Sequence, residues 1–283
     1  MLHCFSVDVE GFAEGMAESI PIPGELIGSA AERSEIEANV NDSLEWLDRV
    51  GVRGTFFILG AIAESQPHLV RSIAEAGHEI GSHSHEHLRL YNLDPARARE
   101  AIVRSKRALE DASGQPVFGF RAPDFSITRR NLELLDVLAE AGYRYDSSIF
   151  PIAMHDVYGV PSAKREIHRL ANGLVEFPPA TCRVAGQIIP ILGGGYFRLS
   201  PLWLSAALVR HCERAGRPVM TYIHPYEIGP RHPEIGGLTR KQRFRHYVNI
   251  GRSQQRYSEL FRQFRFGRAI DVLEETGFGV RTQ

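Results

Sequence analysis

Three histidines fall within five residues of this chain, in the segment SHSHEH at 82–87. His83 and His87 are four residues apart, so on a helical turn their imidazoles would face the same way and could bind one cation. Imidazole suits zinc and its neighbours cobalt, nickel and copper. Two histidines leave such an ion short of a ligand, and a carboxylate would complete a catalytic site with one position open to water. The segment therefore predicts a metal site. An exposed polar turn is the alternative, but the apolar strand predicted just before the segment argues against it.

Asp8 and Glu10 are the carboxylates that could join these histidines. They lie in the segment SVDVE at 6–10, whose valines predict a strand at the start of the domain. Side chains at i and i+2 project to one face of a strand, so both acids would point the same way. Two buried carboxylates are costly unless a cation lies near them. We expect one acid to bind the metal and the other to transfer protons, with a solvated strand end as the alternative.

Three further residues could complete this chemistry. Arg121 follows another predicted strand, and its guanidinium could hold Asp8 and keep it ionised. Asp146 and His224 supply an acid and an imidazole, and an Asp bonded to one ring nitrogen fixes the tautomer and favours the imidazolium. His224 could then be a general acid. Taken alone, each of these residues is equally compatible with a structural role.

The elements that must position these residues alternate along the chain. Apolar and β-branched runs predict strands at 55–59, 78–81, 117–120, 174–177 and 219–224. Asp94 is expected to cap a helix that begins at Pro95, and Thr128 to cap a helix that ends at Gly142. Repeated strand–helix units predict an α/β protein with mostly parallel strands, as a doubly wound sheet or a barrel. Both architectures place active sites at the carboxyl ends of the strands, where the polar clusters fall.

Composition excludes several classes of protein. The 283 residues include 33 Lys and Arg against 34 Asp and Glu, so the whole chain is not built to bind nucleic acid. Three scattered cysteines are too few for a disulfide framework or a cysteine zinc site.

We see no secretory leader and no apolar run long enough to span a membrane, and therefore expect a cytoplasmic protein. Residues 230–283 hold 11 Lys and Arg against 5 acids, which predicts a segment that contacts an anionic surface or partner, or a solvated helical face.

Six motifs follow one another between about residues 5 and 230. They are SVDVEG at 6–11, TFFILG at 55–60, HEIGSHSHEH at 78–87, FRAPDFSIT at 120–128, YDSSIFP at 145–151 and IHPYEI at 223–228. Together they resemble the polysaccharide deacetylases of carbohydrate esterase family four, the NodB-homology enzymes. The segments GGGYFRLSP at 193–201 and FRHYVNIGRSQQR at 244–256 look like the subgroup found in bacterial exopolysaccharide gene clusters, which carries a helical tail.

The resemblance implies a distorted (β/α) barrel of about seven strands over residues 1–230, with an Arg-rich helical extension over 231–283 packed on it. It implies metal-dependent removal of acetyl from an N-acetylated sugar in a surface polysaccharide, an oligosaccharide or a precursor. Zinc is the expected ion, with cobalt or nickel as alternatives. The basic extension could contact a membrane surface or an anionic substrate.

The resemblance also implies roles for single residues. In chain order it assigns a general base, two metal ligands, a residue that steadies the base, a residue that tunes the acid, and the general acid: Asp8, His83, His87, Arg121, Asp146 and His224. Many family members have two adjacent Asp on the first strand, where this chain has Asp8-Val9-Glu10. Some relatives use a D-x-D arrangement, and Glu10 then falls on the metal-ligand position, with Asp8 as the competing ligand.

Two other functions fit the same residues. The metal and the base could hydrolyse another non-peptide C–N bond, such as a formamide or a cyclic amide, because a fold does not decide the substrate. A catalytically inactive, carbohydrate-binding relative would also keep the fold. The presence of Asp8, His83, His87 and His224 argues against that second alternative.

Overall fold

The computed structural model describes residues 1–153, 159–229 and 234–280. Within these residues the strands are β1 (Leu2–Cys4), β2 (Ser6–Val9), β3 (Thr55–Ile58), β4 (Glu79–Ser82), β5 (Gly119–Phe120), β6 (Tyr145–Asp146), β7 (His168–Arg169), β8 (Val175–Glu176), β9 (Thr181–Val184), β10 (Gln187–Pro190) and β11 (Arg265–Gly267). The helices are α1 (Phe12–Met16), α2 (Ala30–Val50), α3 (Gly60–Ser65), α4 (Pro67–Glu75), α5 (Pro95–Ser113), α6 (Leu134–Glu140), α7 (Gly194–Leu199), α8 (Leu202–Arg214), α9 (Arg240–Tyr247), α10 (Ser253–Gln263) and α11 (Ala269–Glu275).

Seven of these strands form one sheet in the order β2-β3-β4-β5-β6-β8-β7. Neighbouring strands are parallel from β2 to β8, and β7 pairs with β8 in the antiparallel direction. Every residue of β2, β3 and β4 is buried, because helices cover one face of the sheet and the barrel interior the other. Helices α2 to α6 lie in sequence between successive strands, as the predicted alternation requires.

An extended segment at 219–224 closes the sheet into a barrel. On one side the Asp8 N–H donates to Ile223 O at 2.9 Å, and on the other the Ala180 N–H donates to Met220 O at 3.1 Å. The segment pairs through isolated bridges, so the strand predicted at 219–224 is not a regular strand. The α/β barrel that the resemblance implies is confirmed, and its distortion lies at this closure.

The predicted helix starts are confirmed in one case and wrong in another. Asp94 caps α5, where its carboxylate accepts hydrogen bonds from two backbone N–H groups of the first turn, and Pro95 is the first helical residue. The prediction for Thr128 is wrong, because α6 begins at Leu134. The Thr128 N–H donates to Asn131 Oδ1 at 2.9 Å, so this threonine belongs to a turn before the helix. In the described parts of the chain, every helix is too short or too polar to cross a lipid bilayer.

The segment after residue 234 packs on the barrel. Besides α9, α10 and α11 it contains β11, which runs parallel to β1 and which the expectation of a helical extension did not include. The Ile270 N–H donates to the Glu79 carboxylate at 3.1 Å, at the amino end of β4. Trp46 of α2 stacks on Phe261 of α10, with ring centroids 5.6 Å apart. Strand β11 and helix α11 therefore pack at the amino-terminal end of the barrel. The proposed division after residue 230 stays a prediction.

Candidate active site

A cavity opens at the carboxyl ends of the strands. β2 ends at Val9, and the loop after β4 begins at His83, so parallel pairing brings the two ends to one edge of the sheet. The segment 219–224 lies beside β2 and ends at the same edge. Residues from all three elements line the cavity: Asp8, Glu10, His83, His87, His224 and Glu227.

Glu10, His83 and His87 form a buried cluster that could hold a metal ion. Glu10 Oε2 lies 2.8 Å from His87 Nε2 and 3.5 Å from His83 Nε2. The three ligand atoms all lie within 4.8 Å of one another. Among the described residues, Glu10 Oε2 has no hydrogen bond of proper geometry in spite of these short distances. Two imidazole nitrogens and one carboxylate oxygen suit zinc with a position left for water, so the residues present fit a divalent ion.

The two histidines converge through a loop. β4 ends at Ser82, and Ser84 takes a left-handed conformation with φ of +68°. The prediction of a helical turn from their spacing is therefore wrong. Their rings nevertheless lie close together, with centroids 5.5 Å apart. His83 Nδ1 donates to the backbone oxygen of Arg121 at 2.8 Å. This bond fixes the ring and directs Nε2 toward Glu10.

Glu10 and His87 shift each other's pKa. Burial would raise the pKa of Glu10, but the neighbouring His87, His224 and His83 rings hold it well below its ordinary value. Burial would lower the pKa of His87, but Glu10 raises it to about 10. The two groups thus form a carboxylate–imidazolium pair near neutral pH. A metal ion that binds here displaces the proton, so its affinity should rise with pH.

Arg121 contacts Asp8 inside the barrel. Its Nη1 lies 2.5 Å from Asp8 Oδ1 and 2.8 Å from Ser6 Oγ, and its Nη2 donates to Ser147 Oγ at 3.1 Å. The guanidinium also lies over the Phe57 ring, 4.2 Å from its centroid. Asp8 and Glu10 both line the cavity. The structure therefore brings together the pair that the sequence proposed, with Asp8 held by a cation and Glu10 by imidazoles.

His224 faces the same cavity from the closing segment. Its Nε2 lies 3.5 Å from Glu10 Oε1, and its ring stacks on Tyr226 with centroids 4.9 Å apart. Its Nδ1 donates to Glu227 Oε1 at 2.7 Å. Burial would lower the pKa of His224, but Glu10 and then Glu227 raise it to about 9. An imidazolium beside the cavity can give a proton to a leaving group.

Asp146 does not tune His224, and this prediction is corrected. Its carboxylate accepts hydrogen bonds from the hydroxyl and the N–H of Ser148, at 2.6 Å and 3.1 Å, and interacts with Glu176 on β8. β6 ends at Asp146, which leaves the side chain between the next loop and β8. Glu227 takes the place beside His224. The spacing His-x-x-Glu in IHPYEI could have indicated it, because i and i+3 face each other on a helical turn.

The glycine-rich segment forms part of the cavity wall. Gly194, Gly195 and Tyr196 line the cavity. Gly193 packs directly on Tyr222, since a Cβ at Gly193 would lie 1.9 Å from that ring. Only a residue without a side chain allows this approach of backbone to ring.

Two family models match the chain. Residues 31–145 match the model described as polysaccharide deacetylase. Residues 147–274 match a model described as a domain of unknown function, DUF3473. The peptidoglycan-N-acetylglucosamine deacetylase of Bacillus cereus is 32% identical over 90 residues, which are 32% of this chain and 33% of that protein. The chain spans about a third of the length of the curated relatives it matches.

Solved structures agree on the fold. A Mycobacterium smegmatis protein named for the polysaccharide deacetylases superposes with a TM-score of 0.64 at 22% identity, covering 99% of this chain and 92% of its own. PuuE allantoinase superposes with a TM-score of 0.62 at 18% identity, covering 98% and 91%. At these identities the likeness shows the fold alone.

Proposed function

We propose that this chain, which belongs to the polysaccharide deacetylase family, hydrolyses the N-acetyl amide of an amino sugar in a surface polysaccharide, an oligosaccharide or a precursor. The observation that carries the proposal is the buried cluster of Glu10, His83 and His87, with Asp8 and His224 on the same cavity. The Bacillus cereus relative is named as a deacetylase of N-acetylglucosamine, which involves the same type of bond.

Glu10, His83 and His87 would hold the ion, with zinc expected and cobalt or nickel as alternatives. A bound ion of this kind polarises an amide carbonyl and lowers the pKa of its bound water. Asp8 accepts the proton of the attacking water, because Arg121 holds its carboxylate at the cavity. Asp8 and Glu10 thus divide the two tasks, and the separate partners of each carboxylate support this division.

His224 donates a proton to the leaving nitrogen. The new C–O bond forms at the acetyl carbon as the C–N bond breaks, and the products are acetate and a free amino sugar. An amine is a poor leaving group unless it is protonated, so this transfer is needed for turnover. His224 can make it because one ring nitrogen is bonded to Glu227 and the other faces the cavity.

Acetate release tests the proposal. Purified protein loaded with zinc, cobalt or nickel is offered N-acetylated chitooligosaccharide, peptidoglycan, an N-formylated amino sugar and a cyclic amide in separate assays, and acetate, formate, ring-opened product and free amine are measured. We expect equal amounts of acetate and amine from the N-acetylated substrates, and a rate about 10²–10⁴-fold lower from an Asp8→Asn control with normal metal content. Formate release, ring opening of a cyclic amide, or sugar binding without any product would instead favour the two alternatives and contradict the proposal.

The proposal also includes contact between the basic segment 231–283 and an anionic lipid surface or substrate, in the cytoplasm. Three basic residues of α9 are exposed, which supports it: Arg240, Lys241 and Arg243. Reversing their charges should lower sedimentation with vesicles that contain phosphatidylglycerol, compared with the unaltered protein. If the charge-reversed protein unfolds normally in urea and sediments with the vesicles as the unaltered protein does, the proposed contact with a lipid surface is contradicted.

A further inference from the structure

The orientation of His224 depends on Glu227, three residues later. Glu227 Oε1 accepts from His224 Nδ1 at 2.7 Å and from the His224 backbone N–H at 3.2 Å. An ionised carboxylate accepts hydrogen bonds and donates none, so Nδ1 carries the hydrogen of this bond. The other ring nitrogen then points toward Glu10 and the cavity. Glu227 therefore determines which ring nitrogen of His224 points to a substrate in the cavity.

Arg198 balances the charge of Glu227. Its Nε lies 3.1 Å from Glu227 Oε2, and both side chains are buried, with 8% and 1% of their surface exposed. Burial would raise the pKa of Glu227, but the Arg198 guanidinium and the bonds from His224 hold it below its ordinary value. A buried carboxylate without a cation is strongly unfavourable. Arg198 thus allows Glu227 to stay charged beside the imidazole.

The segment after residue 234 holds Arg198 in place. Arg198 Nη1 donates to His246 O at 2.9 Å, and Asn249 Nδ2 donates to Arg198 O at 3.1 Å. Arg256 Nη2 donates to Phe197 O, the residue before, at 2.7 Å. The carboxyl end of α7 is therefore bound at several points by α9, α10 and the turn between them.

We propose that Glu227 and Arg198 are positioning residues for His224, and that residues 234–280 take part in the reaction by fixing Arg198. This inference rests on the proposed function, in which His224 protonates the leaving amine. It also assigns a role to the residues that match the model of a domain of unknown function. Residues 147–274 would supply the proton donor and its supports, while residues 31–145 supply the two histidines of the metal cluster.

The leaving group separates positioning from folding. An amide nitrogen must be protonated to leave, whereas 4-nitrophenolate leaves without a proton, so 4-nitrophenyl acetate does not need His224. We expect Glu227→Gln and Arg198→Met each to lower kcat on an N-acetylated chitooligosaccharide by about 10²-fold, with KM nearly unchanged. Their rates on 4-nitrophenyl acetate should stay close to that of the unaltered protein.

Further variants test whether the two residues act as a unit. The double variant Glu227→Gln/Arg198→Met should be no slower than the slower single variant, because a shared role makes the losses non-additive. Asn249→Gly keeps a left-handed backbone (φ +53°) and should give a smaller loss in the same direction. Arg210→Met is the matched control, because Arg210 joins α8 to Gln263 of α10 at 2.9 Å; it should keep both activities.

A measurement without turnover distinguishes failure of this inference from failure of the proposed function. In protein labelled with ¹⁵N-histidine, a His224→Gln variant assigns the His224 ring, and its Nδ1–H signal should be lost or shifted in Glu227→Gln. If no sugar releases acetate, the proposed function fails while this signal still reports the positioning. An unchanged His224 ring in Glu227→Gln, or equal losses on amide and ester at normal stability toward urea, would overturn the inference.

Discussion

Arg121 Nη1 lies 2.5 Å from Asp8 Oδ1 in the interior of the barrel, and the Arg121 side chain has no exposed surface. The two residues are 113 positions apart in the sequence. The guanidinium is enclosed by Phe57 on one side and by the hydroxyls of Ser6 and Ser147 on another. This buried pair fixes Asp8 beside the metal cluster and makes the cavity sensitive to the loss of either partner.

Replacing Arg121 should destabilise the protein strongly. Arg121→Met leaves the Asp8 carboxylate buried without its cation, which costs about 3–5 kcal/mol of the free energy of unfolding. Urea unfolding at pH 7 measures this loss. Arg121→Met combined with Asp8→Asn should recover much of it, because a neutral amide needs no cation. Arg99→Met, which removes an exposed partner of Glu140, is the control and should change little. A double variant as unstable as the single one would argue against the pair.

Metal content and rate should respond to different residues. His83→Ala, His87→Ala and Glu10→Gln each remove a ligand and should abolish stoichiometric zinc, measured by elemental analysis after dialysis. Asp8→Asn should keep its zinc and lose about 10²–10⁴-fold in rate, because it removes the proton acceptor. Loss of zinc in Asp8→Asn, with retention in Glu10→Gln, would reverse the two roles.

Gly15 should control the metal site without contributing a ligand. A Cβ on Gly15 would lie 2.1 Å from Glu10 Oε1, so the Glu10 side chain must move in Gly15→Ala. We expect zinc affinity to fall by about 10–100-fold, as for other residues that orient ligands, in titration calorimetry. Gly24→Ala is the matched control, because a Cβ there has nothing within 4 Å. Equal affinities in the two variants would show that Glu10 does not bind the ion in this position.

His78 should make stability depend on pH. Its Nδ1 accepts from the Gly54 N–H at 3.0 Å, and burial and then Arg53 lower the pKa of His78 to about 4. The unfolded chain binds this proton near pH 6.5, so it holds more protons than the folded state between about pH 6.5 and 4. Stability is therefore lost as the pH falls through that window.

The size of this effect can be isolated by a variant. From pH 7 to pH 5 the single group should remove about 2 kcal/mol of the free energy of unfolding. His78→Asn, whose amide oxygen can accept the Gly54 bond, should lack this increment in urea titrations at the two pH values. The same pH dependence in both proteins would contradict the assignment.

The residues of the site were predictable where strands alone decide the geometry. Asp8 and Glu10 follow from the two-residue period of β2, and Arg121 and His83 from the meeting of strand ends at one edge of a parallel sheet. Loop paths were not predictable. The backbone of Ser84 turns left-handed, so His83 and His87 meet without a helix.

Two pairings also escaped prediction, one between near neighbours in sequence and one between the two ends of the chain. The choice of Glu227 over Asp146 beside His224 depends on a short turn at 225–227 and on where β6 ends. Likewise β11 pairs with β1 from the opposite end of the chain. β11 has only three residues and begins with the exposed Arg265, so the sequence holds no apolar run there that would indicate a strand.

The position of a bound ion tests the central claim most directly. Crystals of the protein grown with zinc are measured at the zinc absorption edge, and an anomalous difference map locates the ion. We expect one strong peak within about 2.0–2.2 Å of Glu10, His83 and His87 ligand atoms, with Asp8 outside that distance. A peak bound by Asp8 in place of Glu10, or no peak at the two histidines in zinc-saturated crystals, would contradict the claim.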